Sequence, residues 1–211
     1  MQYKKVIWRD GQPINAGYLQ QQTQYFETVI EHKNPKSYNW GAWELEFDSD
    51  KLTQGEMSLI KGRGMFPDGT LFDINDLPKP PTLNLTIQEI PTMTRVYLGI
   101  PVSNDQEIDF NLESQKENTD NLRYRSIPYL CQDITQPSNT HSAFELKMAI
   151  PNIHIFLETE LEKRNNQLTI PIAQIKLNNA VVVLDQNYWP PCLNKFFSVN
   201  LNRETLNTNI R

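Results

Sequence analysis

The apolar positions of the chain follow a helical repeat near the N-terminus and a two-residue repeat thereafter. In "AGYLQQQTQYFETVI", residues 16–30, Tyr18, Leu19, Gln22, Tyr25, Phe26, Val29 and Ile30 fall within an arc of about 140°. Gln20, Gln21, Gln24, Glu27 and Glu31 take the opposite side. Asn15 stands at the N-cap, with Ile14 and Leu19 at the two positions of a hydrophobic staple. One feature of the arc is out of place: Gln22 lies inside the apolar stripe.

After the helix the pattern alternates. "WELEF" sets Trp43, Leu45 and Phe47 against Glu44 and Glu46, as a half-buried strand does. "EMSLIKGRGMFPDGTLFDI" reads as two strands joined at Phe66-Pro67-Asp68-Gly69, where proline presets φ and glycine supplies a positive one. "LNLTI", "TRVYLGI", "FELKMAI", "NIHIFLE", "LTIPIAQIKL" and "AVVVL" complete the set. In "FELKMAI", Phe144, Leu146, Met148 and Ile150 share one face. Pro151 and Pro171 cannot donate to a ladder, so they mark edges, bulges or strand switches. Gly62 and Gly64 mark a bulge or a close backbone approach. The polar segments 103–121 and 132–142 are expected to be loops. The tail "SVNLNRETLNTNIR" has sparse apolar residues and reads as the start of a helix that cannot bury itself. Together these elements predict a mainly β fold: an antiparallel β-sandwich with an N-terminal α-helix that packs on the sandwich or on a partner.

Composition narrows the function more than it names it. A chain of 211 residues can bury a real core, and 38% apolar with 21% charged residues fits an ordinary globular protein. No apolar run is long enough to span a membrane, and "MQYKKVIWRDGQP" has no apolar segment after its lysines, so neither membrane insertion nor export is expected. The formal charge is −5, and residues 103–121 carry six acids and one base; a basic nucleic-acid footprint is absent. Cys131 and Cys192 form no metal spacing and are expected to be reduced, in the cytoplasm.

Candidate chemistry does not assemble. His32, His141 and His154 are not spaced to share a metal, and "KGRGMFPDG" lacks the lysine and helix start of a phosphate loop. "DQEID" resembles a calcium loop, but Phe110 stands where glycine is needed and Lys116 where the bidentate glutamate belongs. No motif nominates a pair of carboxylates for glycoside hydrolysis. No catalytic residue, cofactor or metal is assigned, and the chain is not expected to be an enzyme. Trp8, Trp40, Trp43 and Trp189 flank turns or strand starts, where tryptophan can pack, stack on a sugar or anchor a partner. An unpaired buried amide costs roughly 1–3 kcal/mol, so Gln22 must meet a polar group. That group lies either on a sheet edge or loop of the same fold, or at a subunit boundary.

The sequence resembles a known family. "VIWRDGQPINAGYLQQQTQYFE" is similar to the opening of TssK, the baseplate subunit of bacterial type VI secretion, through Trp8, Gly11, Gln20, Gln21, Gln22 and Tyr25. "GMFPDGTLFDI" matches its D-G-T hairpin through Asp68, Gly69 and Thr70. Pro171, Ile172, Ala173, Leu184, Asp185, Pro190, Pro191, Cys192 and Leu193 match its P-I-A, L-D and P-P-C-L signals. "NAGYL" departs from the family's usual Pro-Gln-His-Phe before the glutamines. The resemblance implies a shoulder β-sandwich like that of siphophage receptor-binding proteins over residues 1–187, with 188–211 as linker and the start of a helical neck. An ending in an unburied tail fits a truncated chain.

The resemblance also implies a structural role. The family forms trimers and links the TssF–TssG wedge to the TssJ–TssL–TssM membrane complex, the shoulder facing the wedge and a separate head facing the membrane complex. The residues expected at a protein interface are Trp8, Tyr18, Leu19, Gln22 and Tyr25, with Phe66 at the hairpin tip as a lesser candidate. The alternative is a carbohydrate-binding β-sandwich.

Overall fold

The computed structural model describes residues 5–33, 40–86, 90–102, 121–131, 144–178, 181–193 and 199–202. An α-helix, α1 (Ala16–Lys33), comes first. One sheet holds β1 (Gly41–Asp48), β2 (Glu56–Met65), β3 (Leu71–Asp73), β4 (Thr82–Asn84) and β11 (Val199–Asn202), in the order β11-β1-β2-β3 with β4 also on β2. The other holds β5 (Met93–Pro101), β8 (His154–Leu157), β9 (Gln167–Asn178) and β10 (Val181–Leu184), in the order β10-β9-β5-β8. Between β5 and β8 the chain forms a separate two-stranded ribbon of β6 (Tyr124–Cys131) and β7 (Phe144–Pro151). A short helix, α2 (Ser49–Thr53), is capped by the Asp48 carboxylate and buries Leu52.

The core lies between the two large sheets. Leu45, Phe47, Met57 and Leu59 from one meet Val96, Leu98, Ile100, Ile155, Ile170, Ile172 and Ile175 from the other. Among the described residues, the named strands pair antiparallel except β11 with β1, which is parallel, as is the isolated bridge of Ala42 with Cys192. The mainly β sandwich with an N-terminal helix is thus as expected. The tail is not: residues 199–202 form a strand on the edge of β1 rather than the start of a neck helix, and 203–211 lie outside the described residues. The strand is legible in hindsight, because Val199 and Leu201 alternate with Asn200 and Asn202.

The prolines and glycines act as joints. Pro171 sits at the register shift where Val96 pairs with Ala173 and Tyr97 with Pro171, so it occupies a bulge. Pro151 ends β7 just before the chain switches to the second sheet. Gly64 has no room for a side chain: a Cβ would lie 2.4 Å from the Gly41 carbonyl and 2.6 Å from the Phe72 ring.

Two expectations fail for register reasons. Trp43 is an extra residue on β1, because Ala42 pairs with Gly64 and Glu44 with Arg63. The bulge shifts the alternation, so Trp43 is exposed while Leu45 and Phe47 face the core; Glu46, on the opposite face, is buried as well. Glu46 is compensated by Lys61, whose Nζ stands 2.7 Å from its carboxylate. Phe66, expected at an exposed hairpin tip, is 0% exposed and packs on Phe72 with ring centroids 5.2 Å apart. It continues the inward-facing series of Gly62 and Gly64, so the turn begins with its ring already in the core. Gly69 supplies the positive φ of +92° that the turn needs after Asp68.

The segments expected as loops, 103–121 and 132–142, lie outside the described residues apart from residue 121. A strand appears in β6 that the sequence reading missed. Pro128 disguises it, but in a two-stranded ribbon each strand keeps one open edge, and a proline there breaks no ladder.

Candidate docking surface

Helix α1 is built by its lead-in. A turn at Arg9–Gln12, closed by Gln12 N–H donating to the Arg9 carbonyl at 3.2 Å, places Gly11 at φ +72°. A side chain at that φ is strained, which explains the glycine of the Trp8–Gly11 pair. The turn brings Trp8 back onto the helix. Its indole Nε1–H donates to Gln22 Oε1 at 2.6 Å, and its ring lies 5.9 Å from that of Tyr18. Asn15 Oδ1 accepts from Tyr18 N–H at 3.1 Å, the expected cap.

The carbonyl of the amide in the stripe therefore meets a donor inside the chain, from the loop that leads into the helix. Among the described residues, the helix does not pack into either large sheet in any substantial way. Its apolar arc splits in two. Gln22, Tyr25 and Val29 are half-buried, whereas Leu19, Phe26 and Ile30 form a ridge exposed by 52%, 51% and 58%. Three apolar side chains of that size, aligned on one helix face and more than half open, are uncovered hydrophobic surface. Tyr18 is also exposed. Phe26 and Ile30 lie on the apolar arc that the sequence predicts but are not among the residues expected at an interface.

A second apolar face belongs to the ribbon. Residues paired directly across an antiparallel ladder point the same way. The pairs Ile127↔Met148 and Tyr129↔Leu146 therefore share a face, and Tyr129, Leu146 and Met148 are exposed. Neither strand of the ribbon pairs with a large sheet among the described residues.

The motifs of the family resemblance turn out to be joints rather than chemistry. Asp68 Oδ1 accepts from Thr70 N–H at 3.0 Å inside the D-G-T turn. Asp185 N–H donates to the Gln174 carbonyl at 2.8 Å, tying the end of β10 to β9. The P-P-C-L segment runs beside β1: Ala42 N–H donates to the Pro191 carbonyl and Leu193 N–H to the Ala42 carbonyl, both at 3.0 Å. Gly41 makes this approach feasible, because a Cβ there would lie 2.5 Å from the Pro191 carbonyl oxygen.

Among the described residues, no group of three or more His, Cys, Asp or Glu side chains is placed to hold a metal ion. His154 lies on β8, opposite Gly99 of β5; His141 and the side chain of His32 fall outside the described residues. Trp40 packs against the core, while Trp8, Trp43 and Trp189 are exposed. No helix is long and apolar enough to cross a membrane, among the described residues.

Fold and surface together define a β-sandwich whose unusual features are open apolar faces on a helix and a ribbon. Residues 18–205 match the model of the bacterial type VI secretion family of EvfL, ImpJ and VasE, and the chain belongs to that family. It is 29% identical over 196 residues to the type VI secretion system baseplate component TssK1 of Pseudomonas aeruginosa, covering 90% of this chain but 42% of that protein. The chain thus spans less than half the length of this curated relative. Its fold matches a crystal structure of TssK with TM-score 0.73 at 23% identity, over 91% of this chain and 43% of that one. It also matches a chain of the type VI secretion baseplate complex with TM-score 0.77 at 20% identity, over 93% and 44%. A third match is to the TssK-TssF-TssG baseplate subcomplex solved by cryo-electron microscopy, with TM-score 0.75 at 20% identity, over 90% and 62%. The resemblance to TssK read from the motifs is borne out.

Proposed function

We propose that this chain is a structural, non-enzymatic component of a type VI secretion baseplate, and that its helix-borne apolar surface docks onto TssF–TssG. The observation that carries the reading is the open ridge of Leu19, Phe26 and Ile30 on a helix that its own sheets leave uncovered. Trp8, Tyr18, Gln22 and Tyr25 frame that ridge and give it the mixed aromatic and amide character of a protein interface. Phe66 contributes to the core instead. The family match and a fold shared with a TssK-TssF-TssG subcomplex favour this occupant over a carbohydrate. The engagement of Trp8 by Gln22 and Tyr18 also leaves its ring poorly suited to a flat sugar platform.

In this reading the chain is the shoulder of a cytoplasmic homotrimer, over residues 1–187 with 188–211 leading onward. Contact with the TssJ–TssL–TssM membrane complex falls to the head of the family rather than to these residues. The test is light scattering of the chain with and without purified TssF–TssG. A complex is expected, and Leu19→Asp with Phe26→Asp should weaken it roughly tenfold or more while the circular dichroism is preserved. No complex with the unaltered chain would overturn the proposal.

A further inference from the structure

The two ends of the ribbon meet at one buried charge. Arg123 directly precedes β6 and Asn152 directly follows β7. Asn152 N–H donates to the Arg123 carbonyl at 2.9 Å, and Asn152 Nδ2 donates to the Leu122 carbonyl at 2.8 Å. The base of the ribbon is closed by these bonds. The Arg123 side chain, 4% exposed, then reaches both large sheets. Its Nη1 donates to the Pro101 carbonyl at the end of β5, at 2.7 Å. Its Nη2 donates to the Asp68 carboxylate and the Thr70 hydroxyl of the turn between β2 and β3.

Burial opposes the charge, but the Tyr124 and Asp68 side chains outweigh it, so the guanidinium titrates above its ordinary range and stays protonated. Acceptors in separate directions suit a planar fork of donors and not a single ammonium. A two-stranded ribbon alone is marginal in water, so its orientation has to be imposed from outside.

We infer that Arg123 is the positioning residue of the ribbon, locking the angle at which β6 and β7 leave the sandwich by tying their base to the D-G-T turn of one sheet and to the end of β5 in the other. The use of that lock, presenting the face of Ile127, Tyr129, Leu146 and Met148 to another subunit, rests on the docking reading above. The lock itself does not.

The chain carries two cysteines, and they are well placed for a test. Cys131 ends β6 at the far end of the ribbon, and Cys192 lies on the segment beside β1. Nitroxides on both report the ribbon's position relative to the sandwich by pulsed electron paramagnetic resonance. The unaltered chain should give one narrow distance distribution. Arg123→Met should broaden it about twofold or more while amide exchange in β5 and β9 stays slow, and Arg123→Lys, which keeps the charge but loses the fork, should fall between. An unchanged width in Arg123→Met overturns the inference. If that variant does not fold, Thr70→Val and Asn152→Ala each remove one tie, and unchanged widths in both overturn it equally. Capture by TssF–TssG on the same samples separates the two readings. A broadened ribbon with full capture leaves the lock and removes its docking use. A narrow ribbon with lost capture overturns the lock and leaves the docking.

Discussion

Strands β5 and β7 begin from the same kind of sequence and end in opposite surroundings. "TRVYLGI" and "FELKMAI" both alternate apolar with other residues. β5 is flanked by β8 and β9, and Val96, Leu98 and Ile100 are sealed between the sheets. Among the described residues β7 pairs with β6 alone, and Leu146 and Met148 face outward uncovered. Alternation states that a strand has an apolar face; it does not state what covers that face. Helix α1 repeats the lesson at helical period, with Tyr25 and Val29 half-buried and Leu19, Phe26 and Ile30 open. Under the proposed function, uncovered faces of this kind are where other subunits dock.

That contrast can be broken by substitution. The largest effect is expected in the sealed region: Phe47→Ala should cost about 3–5 kcal/mol in urea unfolding, because the cavity lies between two packed sheets. Gly41→Ala comes next, at about 1–3 kcal/mol, since it combines a strained φ with a clash against the Pro191 backbone. Loss of amide protection should appear along 190–193 first. Asn15→Ala should remove about 1 kcal/mol of helix capping and lower the helical signal in circular dichroism without moving the sandwich transition. Met148→Lys should be the mildest, within about 0.5 kcal/mol, because the ribbon face is open in the chain by itself. A cost for Met148→Lys close to that of Phe47→Ala would mean that the ribbon face is covered within the chain, and the contrast would collapse.

Local rules carried much of the reading. Helix α1, its Asn15 cap and the glycine of the 66–69 turn all follow from interactions within a few residues, whereas Pro151 and Pro171 could be marked as edges, bulges or strand switches but not told apart until their partner strands were known. The misses share a different origin. Trp43 left its expected face because of one inserted residue, and an insertion shows only when the partner strand is known. Phe66 looked like a tip residue because it precedes Pro-Asp-Gly, yet its place in the period of Gly62 and Gly64 decided its burial. β6 was hidden by Pro128, and β11 by the polar company of its two apolar residues. Of the residues expected at an interface, Trp8, Tyr18, Leu19, Gln22 and Tyr25 lie on or against α1, and the Trp8–Gln22 bond spans fourteen positions, too far for a local rule.

The sequence by itself determined the period of each segment, the turns and caps and, through its motifs, the family. These are set by backbone sterics and by hydrogen bonds between near neighbours. Only the tertiary structure decided which apolar faces were sealed and which stayed open, what met the side-chain carbonyl of Gln22, and that Arg123 joins the ribbon to both sheets. Burial and the pairing of buried polar groups are properties of surfaces brought together from distant parts of the chain, and no window of neighbouring residues contains both partners.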